Sequence, residues 1–444
     1  MDQKQIDVAL PGGAGSFPAE SGVDPALRKA GSKTDEWLLC CLRADPDKTG
    51  GLGAAPLSEV DWADLLQQSA RHGVAPLFYH RLRTLHPDIP VPPGVMEELR
   101  QAYLTNAARN LRLYGNLGKV LEILHRDDIP VIVLKGAHLA ELVYGNRALR
   151  IMNDLDLLVK QDDVMRVDAL LLEMGCAPAE HSRIVGKDNN EFVYVMPKQG
   201  VSLEMHWRIL SSLFPFAIDT DGQWARSRPA RIAGVDAAVL CPEDLLLHLC
   251  LHAACTHGFE PGLKLFCDIS EILRHDGESV DWALVQRLAR EWGIGKCVYL
   301  TLQLARELMG VALPAGFMEA LKPGDFDGRF LALAREQIFS RELRTGQPLS
   351  MWPAVARFWG TASLRGKVVL FVKGFFLPRA AMARLYPVPA GSLRIYFYYV
   401  VRLRDLLRVY GRDVWRWLRH DKQMQAFAKE GQALTTLKDW LISP

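Results

Sequence analysis

The spacing of apolar positions divides the chain into stretches of different character. From 35 to 126 they recur at helical intervals: in EWLLCCLR, in WADLLQQSARHGVAPLFYHRL, and in a long run from about Val95 to Arg126 that opens with a Pro-Pro turn. At Ile129 the period changes. IPVIVLKG is a short β-branched run ending in glycine, AHLAELVYG is helical again, and DLDLLVK alternates before becoming continuously apolar, which predicts strand, helix, strand. Residues 163–174 predict another helix stopped at Gly175, and FVYVM and VSLEMHWRI predict two more strands, so a mixed α/β unit covers about 129–210. From Cys241 to about Leu313 strand signals vanish, and PEDLLLHLCLHAACTHG, LKLFCDISEILRH and WALVQRLAREWG predict successive amphipathic helices.

The expected organisation is a flexible Gly/Pro/Ser/Ala-rich segment at 1–33 and a helical lead-in module at 34–127. An α/β core follows at 128–235, then a helical domain packed on it at 236–345, then a basic, aromatic-rich helical region at 346–444.

Composition narrows the class of protein. In 444 residues, 49% hydrophobic and 23% charged, there is enough apolar surface for a large core without disulfide or metal staples. A net charge of +2 excludes a chain that binds polyanions with its whole surface, but the charge is uneven. Between 365 and 422 stand 13 basic and three acidic residues, a surplus of +10 that leaves about −8 on the remainder. The eight cysteines include no C-x-x-C pair and read as reduced, buried thiols. No basic start followed by an apolar run opens the chain, and no apolar run reaches the length of about 18 residues that a membrane span needs, so the expected location is the cytoplasm, with no transmembrane segment.

The chemistry concentrates in Arg150-Ile-Met-Asn-Asp154-Leu-Asp156-Leu-Leu-Val159. Residues two apart on a strand share a face, about 7 Å apart, so Asp154 and Asp156 can reach one divalent ion. Hard oxygen ligands of this kind suit Mg²⁺, which completes its shell with water and substrate phosphates. By itself D-x-D is short and common, and it equally marks a solvated strand edge or a helix N-cap. Two features add to it. At Lys135-Gly136-Ala137 a glycine turn follows an apolar strand, and there phosphate oxygens can approach backbone N–H groups at the start of a helix. Glu204 supplies a third carboxylate from an alternating strand whose Leu203 and Met205 point the other way, and three acids around paired metals fit two-metal phosphoryl chemistry.

On these residues the chain resembles the bacterial uncharacterised nucleotidyltransferase family of the DNA polymerase β-like superfamily. The likeness lies in VIVLKGAHLAELVYGNRALRIMNDLDLLV, VSLEMHWRI, LLLHLCLHAACTHG and LKLFCDISEIL. It extends over roughly 35–420 and is densest at 130–310. The resemblance implies an α+β fold, a small mixed-sheet polymerase β-like core embedded in a mainly helical protein. It also implies transfer of a nucleoside monophosphate from an NTP, with Mg²⁺ or Mn²⁺, to a hydroxyl of an unknown small-molecule or protein acceptor. Carried over by position, it assigns the metals to Asp154, Asp156 and Glu204, with Glu204 assisting deprotonation of the acceptor, and the glycine turn to Gly136. Ala137 departs from the superfamily's second Gly or Ser, so no hydroxyl there can hold a phosphate, and Lys135 or Arg150 is the replacement contact. Arg150 is equally suited to pairing with an acidic neighbour.

Other features carry less. His206 shares the face of Glu204 and can line the site or pack at the sheet end with Trp207; Tyr144 reads as a packing residue. His248 and His252, at i and i+4, have zinc-compatible spacing, but no Glu follows His248 and His257 falls past the helix end. The resemblance places that helix beside the core, where His252 or His257 can face substrate; Asp268, on the following helix, can pair with one of these histidines, and a purely structural pairing is the favoured reading. Arg404, Arg408, Arg412 and Arg416 form a helical stripe that suits anionic membrane or nucleic acid, or simply offsets the acidic remainder. Two alternatives to an enzyme are therefore a catalytically silent nucleotide- or partner-binding module and an adaptor that works through the stripe.

Overall fold

The computed structural model describes residues 33–43, 59–179, 190–196, 200–259, 262–339, 379, 382, 391–404 and 435–443. Four helices come first: α1 (Lys33–Leu42), α2 (Glu59–Arg71), α3 (Ala75–Thr84) and α4 (Pro93–Arg126). α4 has 34 residues and begins on a proline, whose missing N–H is no loss in a first turn. A mixed segment follows: β1 (Val131–Val133), α5 (Lys135–His138) continued by a π-turn at Leu139–Val143, β2 (Asp154–Val159), α6 (Val164–Glu173), β3 (Ala177–Pro178), β4 (Glu191–Val195), β5 (Ser202–His206), α7 (Thr220–Arg226), β6 (Arg228–Ile232) and β7 (Val235–Val239). The remainder is helical: α8 (Pro242–Leu251), a π-turn at His252–Thr256, α9 (Lys264–Asp276), α10 (Trp282–Glu291), α11 (Gly295–Met309), α12 (Ala315–Leu321) and α13 (Gly328–Phe339).

The strands form one seven-stranded mixed sheet, ordered β3-β4-β5-β2-β1-β7-β6. β2 runs antiparallel to β1 and parallel to β5. Strand parity assigns the two faces. Val131, Val133, Leu155, Leu157, Val159, Leu203 and Met205 point to one side, where they pack with Leu117 and Leu121 of α4 and Val167 and Leu171 of α6. Ile132 and Leu158 point to the other side, into the core built by α8, α9 and α11. Leu157 is fully buried, so its truncation to alanine would cost about 2–5 kcal/mol. The parity that buries Leu155 and Leu157 on the first face puts Asp154 and Asp156 on the second, toward the helical half.

α8 is the centre of that half. All ten of its residues are buried, as expected of a helix that is apolar on nearly every side. Its one acidic side chain of zero exposure, Asp244, is held by the Arg226 guanidinium at 2.8 and 3.0 Å. Near the end of the chain, Leu437, Trp440 and Leu441 seat in the same core, with Trp440 stacked on Phe330 at 4.3 Å.

Several sequence expectations are realised as drawn: the lead-in helices, the helix from Val95 to Arg126, the strand-helix-strand at 131–159, α6 stopped at Gly175, and the helices after Cys241. The sheet nevertheless extends past 210 to Val239, crossing the expected core boundary at 235. The hairpin of β6 and β7 is the addition, with Ala233 and Gly234, both at positive φ, as its two-residue turn, and β7 adds parallel to β1. Residues 1–32 and most of 346–444, including Arg408, Arg412 and Arg416, lie outside the described residues. Among the described residues no helix is long and apolar enough to cross a membrane, and all eight cysteines are free.

Candidate active site

The site forms where β1 ends and β2 begins. The Leu134 N–H donates to the Asp156 carbonyl at 3.0 Å, fixing the two strands at this point. The chain then turns through Lys135, whose φ of +27° is unusual for a residue with a side chain, and enters α5 with Gly136 buried. A Cβ on Gly136 would stand 3.2 Å from Arg150 Nη1 and 3.3 Å from Met152 Sδ, so the glycine lets α5 pack closely against the segment that leads into β2. α4 supports both sides of this junction. Asn106 Nδ2 donates to the carbonyls of Ala148 and Arg150, and Asn110 Nδ2 to those of Arg147 and Arg150. The Tyr114 hydroxyl donates to the Ala137 carbonyl at 2.7 Å.

On β2 and β5 the register pairs Asp154 with Ser202, Asp156 with Glu204 and Leu158 with His206. Asp156, Glu204 and His206 each place one donor atom within 4.8 Å of the others; Asp154 shares their face but is not part of that tight group. His206 Nε2 lies 3.2 Å from Asp156 Oδ1 and 3.5 Å from Glu204 Oε2. Its Nδ1 is 2.8 Å from Glu191 Oε2, within ion-pair distance though off the line of a hydrogen bond. Lys135 Nζ donates to Asp156 Oδ1 at 2.9 Å.

The charges follow from these contacts. Burial opposes an imidazolium at His206, but the carboxylates of Asp156, Glu191 and Glu204 outweigh it and push the group up to about 10. Burial likewise opposes ionisation of Asp156, and Lys135 and His206 more than compensate, holding its carboxyl well below the usual range. Asp154 goes the other way, raised by burial and then by the Asp156 charge. At Glu204 the hydrogen bond with His206 pulls downward, but burial together with Asp156 and Asp154 leaves the carboxyl raised. The protein thus concentrates negative charge here and offsets it with Lys135 and His206. The carboxylate oxygens, with the His206 nitrogen once an arriving metal displaces its proton, form a donor set that fits a divalent cation.

The expected phosphate contacts are both engaged with carboxylates. Lys135 is on Asp156, and Arg150 holds Asp268 with two bonds of 2.9 Å, Nε to Oδ1 and Nη2 to Oδ2. The Tyr144 hydroxyl donates to the same Asp268 at 2.9 Å, so Tyr144 packs and also bonds. Asp268 therefore pairs with Arg150 and Tyr144 and not, as expected, with a histidine. The reason is reach: α9 lies against the π-turn that ends at Val143, with the buried Arg150 beside it. His248, His252 and His257 do approach the site. His252 Nε2 and His257 Nε2 are 3.0 Å apart, and burial first, then Lys135, lowers all three. Among the described residues the one group of three or more metal-ligating side chains does not include them.

Of three further residues that shape the site, Glu191 and Lys264 escaped sequence reasoning, and Asp268 was read with a histidine as its partner. Glu191 reaches His206 only because β4 pairs antiparallel with β5, setting Glu191 opposite His206. Asp268 stands 118 residues from Arg150. Lys264, four residues before Asp268, adds its charge to the field at Asp154. Asn106 and Asn110 did leave a signal, as polar residues on the apolar side of a long helix.

A solved structure, that of the antibiotic-resistance factor ANT(2'')-Ia, is similar over 41% of this chain and 91% of its own, with 14% identity and a TM-score of 0.30, a likeness too slight to bear on function. No curated protein matches the chain. The family model described as uncharacterised nucleotidyltransferase matches residues 58–310, spanning the lead-in helices from α2, the whole sheet and the helices through α11. The chain belongs to this uncharacterised nucleotidyltransferase family.

Proposed function

We propose that the protein transfers a nucleoside monophosphate from an NTP to a hydroxyl of a small-molecule or protein acceptor, with Mg²⁺ or Mn²⁺ held by Asp154, Asp156 and Glu204. The observation that carries this reading is the parallel register of β2 and β5, which sets Asp156 beside Glu204 and both on the face of Asp154, next to the Lys135-Gly136 turn. When bound, the metal pair would neutralise the triphosphate and activate the attacking oxygen. The chain's own groups supply the rest. His206 Nε2 points among the carboxylates with Glu191 behind it, an arrangement that suits a nitrogen ligand oriented by a carboxylate once the metal displaces the imidazolium proton. Glu204, raised by burial and its acidic neighbours, is suited to accept the acceptor's proton near neutral pH. A silent binding module is disfavoured by the arrangement itself, because three clustered acids are costly to keep together without a cation.

The test is incubation with labelled ATP, GTP, CTP or UTP, Mg²⁺ and a panel of hydroxyl-bearing acceptors and proteins, following pyrophosphate release. Release abolished in Asp154→Asn/Asp156→Asn is the expected result, and turnover persisting in that variant would eliminate this site.

The C-terminal region supports a second, separate reading. A helix over 395–404 turns Ile395 inward against Met382 while Leu393, Phe397 and Val400 stand exposed, with Arg394 and Arg404 also exposed. An apolar stripe edged by arginine suits the surface of an anionic bilayer. Cosedimentation with phosphatidylserine vesicles, lost in Phe397→Asp/Val400→Asp and absent with phosphatidylcholine alone, would support it; equal retention on both lipids would exclude it.

A further inference from the structure

A triphosphate and the three site carboxylates together carry more negative charge than two divalent ions neutralise, so a nucleotidyl-transfer site needs side-chain cations directed at the phosphate tail. Besides the His206 imidazolium, which is held among the carboxylates, three cationic Lys and Arg side chains lie at this site among the described residues. Lys135 is bonded to Asp156, and Arg150 is bonded twice to Asp268. Lys264 is different: no described residue gives it a hydrogen bond or an ion pair, although the charges of Arg150, Asp268, Asp154 and Asp156 all act on it.

Position explains why. Lys264 opens α9, one helical turn before Asp268, so the two side chains share a helix face and Lys264 lies alongside the Arg150–Asp268 pair. Its stem passes Gly73, where an added Cβ would meet Lys264 Cδ at 3.7 Å. No side chain caps the first turn of α9, because Leu263 holds the N-cap position. Burial and the nearby arginine both disfavour the ammonium, which lowers its proton affinity. A cation taken partly out of water, beside another cation and with no bonded carboxylate among the described residues, is costly alone and gains most when an anion arrives.

We infer that Lys264 is the side-chain contact for the β- and γ-phosphates of the nucleotide, an assignment that rests on the function proposed above. The chemistry it recognises is a polyphosphate, either the tail of a nucleoside triphosphate or released pyrophosphate.

The experiment is calorimetric titration of the full chain with Mg²⁺ and three probes: the α,β-methylene analogues of the four NTPs, the matching monophosphates, and inorganic pyrophosphate. Lys264→Met keeps the stem and Lys264→Arg keeps the charge, with thermal unfolding as the check on folding. Lys264→Met should weaken the triphosphate analogue and pyrophosphate about 10- to 100-fold, as loss of one charged hydrogen bond predicts, while monophosphate affinity is unchanged and Lys264→Arg retains most of the binding. Equal weakening of triphosphate and monophosphate, or triphosphate binding indifferent to Lys264→Met, would overturn the assignment and leave nucleotidyl transfer standing. A wild-type chain that bound none of the triphosphate analogues would overturn both.

Discussion

Arg150 has two possible occupations, phosphate or carboxylate, and the geometry makes them separable. In the fold its guanidinium holds Asp268 through two 2.9 Å bonds, with side-chain exposures of 8% and 1%. Replacing Arg150 by methionine keeps the bulk and removes the charge, leaving a buried carboxylate with the Tyr144 hydroxyl as its remaining bonded partner. Breaking such a pair from one side costs about 3–5 kcal/mol, a fifth or more of the roughly 5–15 kcal/mol that stabilises most folded proteins. At about 2–4 °C per kcal/mol for a unit near this size, the melting temperature should fall by about 6–20 °C. Removing both partners in Arg150→Met/Asp268→Leu should recover at least half of the loss, because neither member of the pair is left buried without the other. The assay is urea and thermal unfolding of the four members of the cycle, in the absence of nucleotide and metal. A single Arg150→Met variant within about 0.5 kcal/mol of wild type, the range of ordinary surface changes, would refute the pairing and return Arg150 to the phosphate.

Gly136→Ala should cost about 1–3 kcal/mol in denaturant unfolding, because the new methyl meets Arg150 and Met152 at 3.2 and 3.3 Å and Arg150 is pinned by Asp268; full stability would show that the junction is loose. His206 has a folded-state value of about 10 against 6.5, so its contribution to stability is fully present below about 6.5 and fades as pH rises through 10. His206→Gln in chelator should therefore lose more stability at pH 6 than at pH 10.5, and an equal loss at both would remove the imidazolium from the account. Asp154 is raised by burial and by Asp156, so its ionised form opposes folding above the ordinary carboxyl range. Asp154→Asn should accordingly melt higher than wild type at pH 7 in chelator, and a lower melting temperature there would contradict the crowding of acids.

How much of this was legible in the sequence depended on distance along the chain. Strand parity in DLDLLV and SLEMH put Asp154 with Asp156 and Glu204 with His206, each pair on one face of its own strand, because a period of two needs no knowledge of partners; the parallel register of β2 against β5 brings the two pairs to the same face. The hairpin of β6 and β7 was missed because RPARI and VDAAV are built of alanine, proline and charge, with little β-branched or aromatic signal; the Ala233-Gly234 turn was the available clue. Pairings between distant segments had no local signature. Asp268 on Arg150 and Glu191 on His206 each require a packing choice that periodicity cannot express. The commitment of Lys135 and Arg150 to carboxylates, which leaves Lys264 to the phosphates, was hidden for the same reason.

The most direct test of the central claim is a Mn²⁺ titration followed by electron paramagnetic resonance, with and without a nonhydrolysable NTP, on wild type and on the Asp154→Asn, Asp156→Asn and Glu204→Gln variants. The geometry predicts bound Mn²⁺ whose affinity rises with nucleotide and falls at least tenfold in each variant, with imidazole-nitrogen coupling lost in His206→Gln. Binding that is indifferent to all three carboxylates would show that these acids do not hold the metal.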